Sequence, residues 1–176
     1  MRQEERRART RGALLRAAGT AFAEHGYDGA SLDAIAAAAD LSKGAVYAHF
    51  ATKRELYLAV VETVLEEAER RLEPVGQALR SAAPLDTAAT RYFGSPSDAT
   101  HVSHLTDLWQ MAVRDEAVAD ALAGFRQRRL AALASAAVDA GFAPSRALDM
   151  AHTVGKLIDA DTLYGRLRDV WAGRGA

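Results

Sequence analysis

The chain has 176 residues, no cysteine, 49% hydrophobic residues and a formal net charge of -1 at pH 7. This length can bury a substantial core, and the absence of cysteine excludes disulfides, thiol catalysis and thiolate metal ligands. We see no signal-like N-terminal segment and no apolar run near the roughly 20 residues that span a bilayer. The sequence therefore predicts a cytoplasmic protein that does not enter a membrane.

The composition favours helices throughout. Alanine and leucine dominate, and prolines stand only at positions 74, 84, 96 and 144. Long stretches without proline and with few β-branched residues are suited to helices, so we expect an all-α protein. Residues 1–56 carry nine Lys or Arg against seven acids, whereas residues 57–176 carry thirteen against sixteen. The N-terminal part thus has the sign of charge that nucleic-acid binding requires.

The N-terminal segment combines an arginine-rich tail with a first amphipathic pattern. Residues 1–9 precede the regular apolar spacing, and we expect either a frayed, solvated tail or an arm that reaches DNA. Thr10 is predicted to cap a helix that ends at Gly26, and Tyr27 is expected to fold back onto it. The inward positions of this helix are Leu14, Ala17, Ala18, Ala21 and Phe22.

Three helix starts lie close together between Ser31 and Leu56. Ser31, Ser42 and Thr52 each precede a helical pattern, and a hydroxyl at that position can accept a hydrogen bond from an unpaired backbone amide. The third start is a capping box, in which Glu55 is expected to accept from the Thr52 amide. We therefore predict a compact helix-turn-helix, with the next helix leaving it.

The short middle helix has two unlike faces. Val46 and Phe50 lie one turn apart and are predicted to face inward, whereas the other face has small side chains and begins with Lys43 and Gly44. A face of this kind, with Tyr47 at its margin, can bring its backbone close to another surface. A DNA major groove requires such an approach.

The run SKGAVYAHFATKREL, preceded by FAEHGYDGAS, resembles the DNA-binding domain of TetR-type regulators, the TetR/AcrR family, over roughly residues 10–60. The resemblance implies an N-terminal three-helix DNA-binding domain (residues 1–56) and a C-terminal helical effector-binding and dimerisation domain (residues 57–176). One departure is Asp40, where the family usually has glycine. Aspartate tolerates the left-handed conformation of this turn less well than glycine, so we expect a turn that survives under some strain.

The resemblance and the helix starts together predict the DNA contacts. Ser31 and Lys53 would meet phosphates, and Tyr47 would offer its hydroxyl to the backbone. Lys43 and His49 would reach into the groove, where Gly44 permits close approach and Ala45 can touch a thymine methyl. The alternative is that these are ordinary surface residues. The predicted set is Ser31, Ser42, Lys43, Gly44, Ala45, Tyr47, His49 and Lys53.

The second part of the chain reads as a series of helices. A long helix from Lys53 is predicted to end near Pro74, with Leu56, Val60, Val64, Ala68 and Leu72 buried along it. Gly141 is predicted to mark the turn before the last helix, which Ser145 would cap. The helices expected after the long one are 74–83, 85–93, 98–114, 116–140 and 145–168.

Aromatic and polar residues in these helices either fill a core or form the wall of an effector pocket. The pocket candidates are Phe93, His104, Trp109, Met111, Phe125 and His152. His101 and His104 have a spacing compatible with a divalent metal, but two histidines are a weak signal and we predict no metal. We also predict no cofactor and no enzymatic activity, since no nucleophile stands with a base and an orienting group.

The leading hypothesis is a DNA-binding transcriptional regulator, a repressor that acts as a homodimer on a palindromic operator and is released by a small-molecule effector. One alternative is an all-helical ligand-binding or enzymatic protein with a vestigial DNA-binding domain. Another is a helical interaction protein, which would not explain why Lys43 and Lys53 stand at successive helix starts.

Overall fold

The computed structural model describes residues 2–81, 108 and 110–156, and every regular element in that part is a helix. The all-α prediction is confirmed. The helices are α1 (Arg2–Gly29), α2 (Leu32–Ala38), α3 (Lys43–Tyr47), α4 (Lys53–Arg70), α5 (Leu72–Arg80) and α6 (Glu116–Asp139), followed by α7 over residues 144–156. In this part of the chain no helix is long and apolar enough to cross a membrane.

The chain divides into two compact units, Met1–Val64 and Leu65–Ala176. The division falls inside α4, in the same helix as the boundary that we placed after residue 56. The helix predicted for 85–93, residues 98–107 and 109 of the helix predicted for 98–114, and the part of 145–168 beyond residue 156 lie outside the described residues. Residues 108 and 110–112 are helical, and a turn follows at 113–114.

The core of the first unit lies where α1, α2, α3 and the start of α4 meet. Leu14, Ile35, Val46, Phe50 and Leu56 are at most 1% exposed. α1 packs against α2, and α2 packs against α3. The buried face predicted for α1 is confirmed, since Ala18 and Phe22 are also buried and Ala17 and Ala21 are half-buried. On α2, Ala36 is buried, and Leu32 and Ala39 are half-buried.

The first helix is longer than predicted. It begins at Arg2, so the expectation of a frayed tail and of a cap at Thr10 was wrong. Glu4 and Glu5 stand in its first turn, where negative side chains stabilise the helix dipole, and no glycine or proline interrupts the chain before residue 12.

At the end of α1, Gly26 has the left-handed conformation that we predicted, but the helix does not end there. Gly26 takes φ 68, which kinks the helix there, and α1 runs on to Gly29. Tyr27 folds back as predicted, with its ring centroid 6.0 Å from that of Phe22. The Tyr57 ring contacts both aromatic rings edge-on at 5.0 Å, and such pairs add about 0.5–1.5 kcal/mol each beyond their burial.

All three predicted caps are present. The Ala34 amide donates to the Ser31 hydroxyl at 3.1 Å, the Ala45 amide to Ser42 at 3.3 Å and the Glu55 amide to Thr52 at 3.0 Å. One detail of the capping box was wrong, because the Glu55 carboxylate accepts from the amide of Ala51, at 2.7 Å, and not from that of Thr52. The carboxylate therefore reaches one residue further back than the motif implies.

The long helix ends earlier than predicted, and the reason is Pro74. α4 stops at Arg70 and α5 begins at Leu72, so Pro74 lies in the first turn of α5. A proline ring clashes with the carbonyl four residues before it, which here belongs to Arg70, and it cannot donate a hydrogen bond to that carbonyl. The proline breaks the helix one turn upstream and then fits the start of the next one.

The second unit is built on α5, α6 and α7. α5 packs against α6, and the buried cluster comprises Leu72, Val75, Ala78, Leu133, Ala136, Ala151 and Val154. The Arg128 guanidinium on α6 donates to the Glu69 carboxylate in the last part of α4 at 2.6 Å. The prediction that Leu56, Val60, Val64, Ala68 and Leu72 are buried is confirmed.

The turn between α6 and α7 was predicted in part. Asp115 caps α6, and Gly141 takes φ 92 directly after it, as its position implied. Ser145 is not a cap, because the helical residues begin at Pro144 and the Ala147 amide donates to the Ala143 carbonyl at 2.9 Å. Pro144 occupies the first helical position, where its missing N–H costs nothing.

The turn between α2 and α3 depends on a left-handed residue that is not glycine. Asp40 has φ 56. Its amide donates to the Ala37 carbonyl at 3.0 Å, and the Leu41 amide donates to the Ala36 carbonyl at 2.9 Å. This pair of bonds is the Schellman arrangement that closes a helix. The expected conformation is therefore present, with aspartate in the position that glycine fills most easily.

Substitution of Asp40 tests how much strain this turn holds. We expect Asp40→Gly to be between neutral and about 1 kcal/mol more stable, since relief of a left-handed side chain (about 1–2 kcal/mol) outweighs the extra freedom of the unfolded chain (about 0.4–1 kcal/mol). The matched control is Ala37→Gly in α2, which should lose about 1 kcal/mol. Urea unfolding measures both. Equal losses in the two variants would show that Asp40 contributes more than its backbone conformation.

Candidate nucleic-acid interface

The α2–turn–α3 segment presents one short helix to solvent. Four residues separate Ala38, the end of α2, from Lys43, the start of α3. Val46 and Phe50 are 0% and 1% exposed and fix α3 to the core, whereas Tyr47 is 50% exposed. Lys43, Gly44 and Tyr47 are therefore exposed on α3, whereas Ala45 and His49, which we also expected to contact DNA, are half-buried.

Gly44 is not required by the fold of the free chain. A Cβ atom placed on it would meet only the Ser42 hydroxyl oxygen, at 3.8 Å, which is an ordinary contact. Its helix would also gain from alanine, because glycine has a low helix propensity. The missing side chain is thus useful only if something approaches α3 closely from outside. Ala45, the next residue, is half-buried.

Lys43 does not extend freely into solvent. Its ammonium donates to the Asp33 carboxylate on α2 at 2.9 Å, although both side chains are more than half exposed. The hydrogen bond to Asp33 raises the pKa of Lys43, so the lysine remains a cation. The prediction placed Lys43 correctly on the outward face but did not include its partner.

Lys53 is also held in place by local contacts. Its ammonium donates to the Asp28 carbonyl at 3.3 Å and lies 4.8 Å from the centre of the Tyr27 ring. A cation over an aromatic face is stabilised by about 0.5–1 kcal/mol at exposed sites. Lys53 is the first residue of α4, so these contacts present its charge beside the helix start.

Each of the two predicted serines uses its hydroxyl oxygen as an acceptor within the fold. The Ser31 and Ser42 oxygens each accept from a backbone amide. A hydroxyl can accept and donate at the same time, and both residues are exposed. Their protons remain suited to an acceptor outside the chain, such as a phosphate oxygen.

His49 lies two residues after the end of α3, close to two arginines of α1 that its position in the sequence does not connect with it. The ring is half-buried, and burial, followed by the nearby Arg7 and Arg11 charges, lowers the pKa of His49. The Arg11 guanidinium lies 4.7 Å from the centre of the Phe50 ring. Arg7 and Arg11 stand four residues apart on α1, so they lie on the same face of that helix. This spacing could have indicated their common position, but we expected the segment to be a frayed tail.

The residues proposed for an effector pocket are only partly described. Phe93, His104 and Trp109 lie outside the described residues, as does His101 of the histidine pair. Met111 is half-buried and His152 is exposed. Phe125 is buried and lies under the Arg129 guanidinium at 5.5 Å. His152 lines a separate cavity of about 340 Å³ between α6 and α7, together with Arg126, Arg129, Leu130 and Lys156.

The first unit has the features of a helix-turn-helix protein of the DNA-binding type: a short helix after a tight turn, a cap at its start, and an exposed face formed by Lys43, Gly44 and Tyr47. Residues 14–60 match the sequence model described as bacterial regulatory proteins, tetR family. This segment of the chain is therefore similar to the tetR family, as the resemblance implied.

Curated relatives also match part of the chain. It is 44% identical over 71 residues to the HTH-type transcriptional activator FasR of Mycolicibacterium smegmatis, a match that covers 40% of this chain and 31% of that protein. It is 39% identical over 64 residues to the HTH-type transcriptional repressor AcnR of Corynebacterium efficiens, covering 36% and 32%. The matched segments span about a third of the length of these relatives.

Solved structures extend the likeness to nearly the whole chain. A structure described as a TetR-family transcriptional regulator from Mesorhizobium loti has a TM-score of 0.67 at 22% identity and covers 88% of this chain and 97% of its own. Salmonella enterica GusR has a TM-score of 0.65 at 26% identity, with coverage of 87% and 81%. At the lower identity the likeness shows the fold alone.

Proposed function

We propose that the protein is a DNA-binding transcriptional regulator of the cytoplasm, with α3 as the helix that enters the major groove. The observation that carries the proposal is the division of α3 into a buried side and an exposed side that has no side chain at Gly44. An α-helix fits the major groove, and base edges are read at short range. The serine hydroxyls and Lys53 at the neighbouring helix starts would then contact phosphates.

The predicted contacts keep their roles in this proposal, except that His49, which we expected in the groove, is now assigned to the phosphates. Tyr47 would donate its hydroxyl to the backbone and Ala45 would touch a thymine methyl, while Lys43 would reach base edges. His49 with Arg7 and Arg11 would meet phosphates at the far end of α3. These groups lie on one unit, so a single rigid approach to the duplex brings them to DNA together.

Gly44→Ala separates DNA binding from folding. We expect its free energy of unfolding to be unchanged or raised by up to about 1 kcal/mol, because alanine favours the helix. Binding to a duplex selected from a random library should weaken about 5- to 150-fold, the range of one lost base contact of about 1–3 kcal/mol. Fluorescence anisotropy and urea unfolding measure the two quantities.

The matched control is Gly12→Ala on α1, where a Cβ would meet only the Arg16 guanidinium, at 3.5 Å. It makes the same chemical change away from α3 and should leave binding as in the wild type. If Gly44→Ala bound the selected duplex as tightly as the wild type, α3 would not be the reading helix. An all-helical ligand-binding or enzymatic protein with a vestigial DNA-binding domain would then be favoured, as it would be if the wild type bound no duplex.

We further propose that the protein binds a palindromic operator as a homodimer formed by α6 and α7. Val138 and Leu148 are large apolar side chains, each 45% exposed, on these two helices. A two-fold dimer presents two copies of α3 at a spacing of about 34–36 Å, which doubles the contacts that a single short helix can make.

Charge introduced at these two positions tests the interface. Val138→Glu with Leu148→Glu should give a monomer at micromolar concentration by light scattering, because two carboxylates per subunit would be buried without partners. The control is Val113→Glu, which makes the same change at a side chain that is 85% exposed and should leave the mass unchanged. A monomeric wild type, or a dimeric double variant, would contradict this arrangement.

We also propose that a small-molecule effector bound by the Leu65–Ala176 unit controls DNA affinity, and that the protein is a repressor. A dimer on its operator excludes other proteins without needing a further contact surface. An effector that prefers the DNA-free state by about 1–3 kcal/mol would weaken operator binding about 5- to 150-fold, and the operator must weaken effector binding by the same factor. Calorimetry with and without operator measures this. Equal effector affinities would exclude the regulatory role.

A further inference from the structure

The Asp33–Lys43 ion pair changes what Lys43 can do at a DNA surface. The two side chains come from different helices, α2 and α3, and meet at 2.9 Å. An isolated lysine is attracted to any phosphate, whichever sequence the phosphate belongs to. A lysine bonded to a carboxylate forms a group with no net charge, so its electrostatic attraction to phosphates is largely cancelled.

The pair also fixes the position of a flexible side chain. A lysine ammonium has three N–H donors, and here one of them is given to Asp33. Two donors remain, on an ammonium whose location is set by the α2–turn–α3 geometry. The major-groove edge of guanine presents two adjacent acceptors, O6 and N7, which is the pattern that two neighbouring donors can satisfy.

We propose that Asp33 is a positioning residue that directs Lys43 to a guanine in the major groove, at the expense of contact with phosphates. The inference rests on the proposed function, since it assigns a specificity-determining role within the same interface. The raised pKa of Lys43 agrees with this role, because the ammonium must keep all its protons to hold Asp33 and donate to a base. The base pair read in this way is a G·C pair.

The experiment compares one duplex, selected from a random library by the wild type, with a set of duplexes in which each of its G·C pairs in turn is replaced by A·T. For each changed base pair, the dissociation constant of the changed duplex divided by that of the selected duplex is the discrimination at that position. Wild type, Asp33→Asn, Lys43→Ala and the double variant, all as the full chain, are measured by fluorescence anisotropy against the selected duplex, the changed duplexes and a mixed-sequence duplex.

We expect one base pair at which Lys43→Ala loses discrimination by about 5- to 150-fold, the range of one good base contact of about 1–3 kcal/mol. Asp33→Asn should lose at least about 5-fold at that same base pair. Its affinity for the mixed-sequence duplex should stay equal or rise, because a negative charge has been removed near phosphates. In the Lys43→Ala background, Asp33→Asn should change the discrimination no further.

Two controls separate positioning from simpler effects. Glu62→Gln removes the same charge from an exposed position on α4 and should leave the discrimination unchanged. Asp33→Ala serves as a second variant, and circular dichroism checks that both fold. If Asp33 acted only through its charge, its substitution would change the dissociation constants of all duplexes by the same factor and leave the discrimination at every base pair unchanged. That result would overturn the inference while leaving the proposed function in place. A wild type without any preferred duplex would overturn both.

Discussion

The geometry of the first unit depends on the turn between Ala38 and Lys43. Asp40 is left-handed, and α2 is closed there by two hydrogen bonds, from the Asp40 amide to the Ala37 carbonyl and from the Leu41 amide to the Ala36 carbonyl. Ser42 then caps α3. These contacts join residues that are close in the sequence, so they set the direction of α3 without help from distant residues. The burial of Val46 and Phe50 then holds the helix at that direction with its small-sided face outward.

Short-range contacts also hold the charged side chains around α3. Lys53 lies against Tyr27 and the Asp28 carbonyl, and Lys43 lies against Asp33. Exposed ion pairs contribute little to stability, typically about 0–1 kcal/mol. Their effect here is on position: long side chains that would otherwise sample many rotamers are held near the helix starts, which lowers the entropy lost on binding a partner.

Sequence patterns predicted what depends on local chemistry. The caps at Ser31, Ser42 and Thr52 and the left-handed positions at Gly26 and Gly141 followed from residue type and spacing, and so did the buried faces of the helices. The break at Arg70 was missed because the clash acts four residues before Pro74, and the sequence draws attention to the proline itself.

Contacts between separate elements could not be predicted in this way. Nothing in the spacing of ten residues between Asp33 and Lys43 specifies that their side chains meet, since the pair forms only once the turn has set the two helices. The arginines beside His49 are a similar case. Their relation to α3 depends on α1 being helical from Arg2, and an arginine-rich start is equally compatible with a disordered tail.

The division of α3 into a buried side and an exposed side also determines which of its residues can be substituted without unfolding the protein. Val46 is the one buried residue of its five, so the exposed surface of the helix and its attachment to the core are formed by different side chains. Surface substitutions away from special features usually change stability by no more than about 0.5 kcal/mol. Positions 47 and 48 are exposed and can therefore be randomised together in a library, with Gly44 retained, and the surviving variants would share one scaffold.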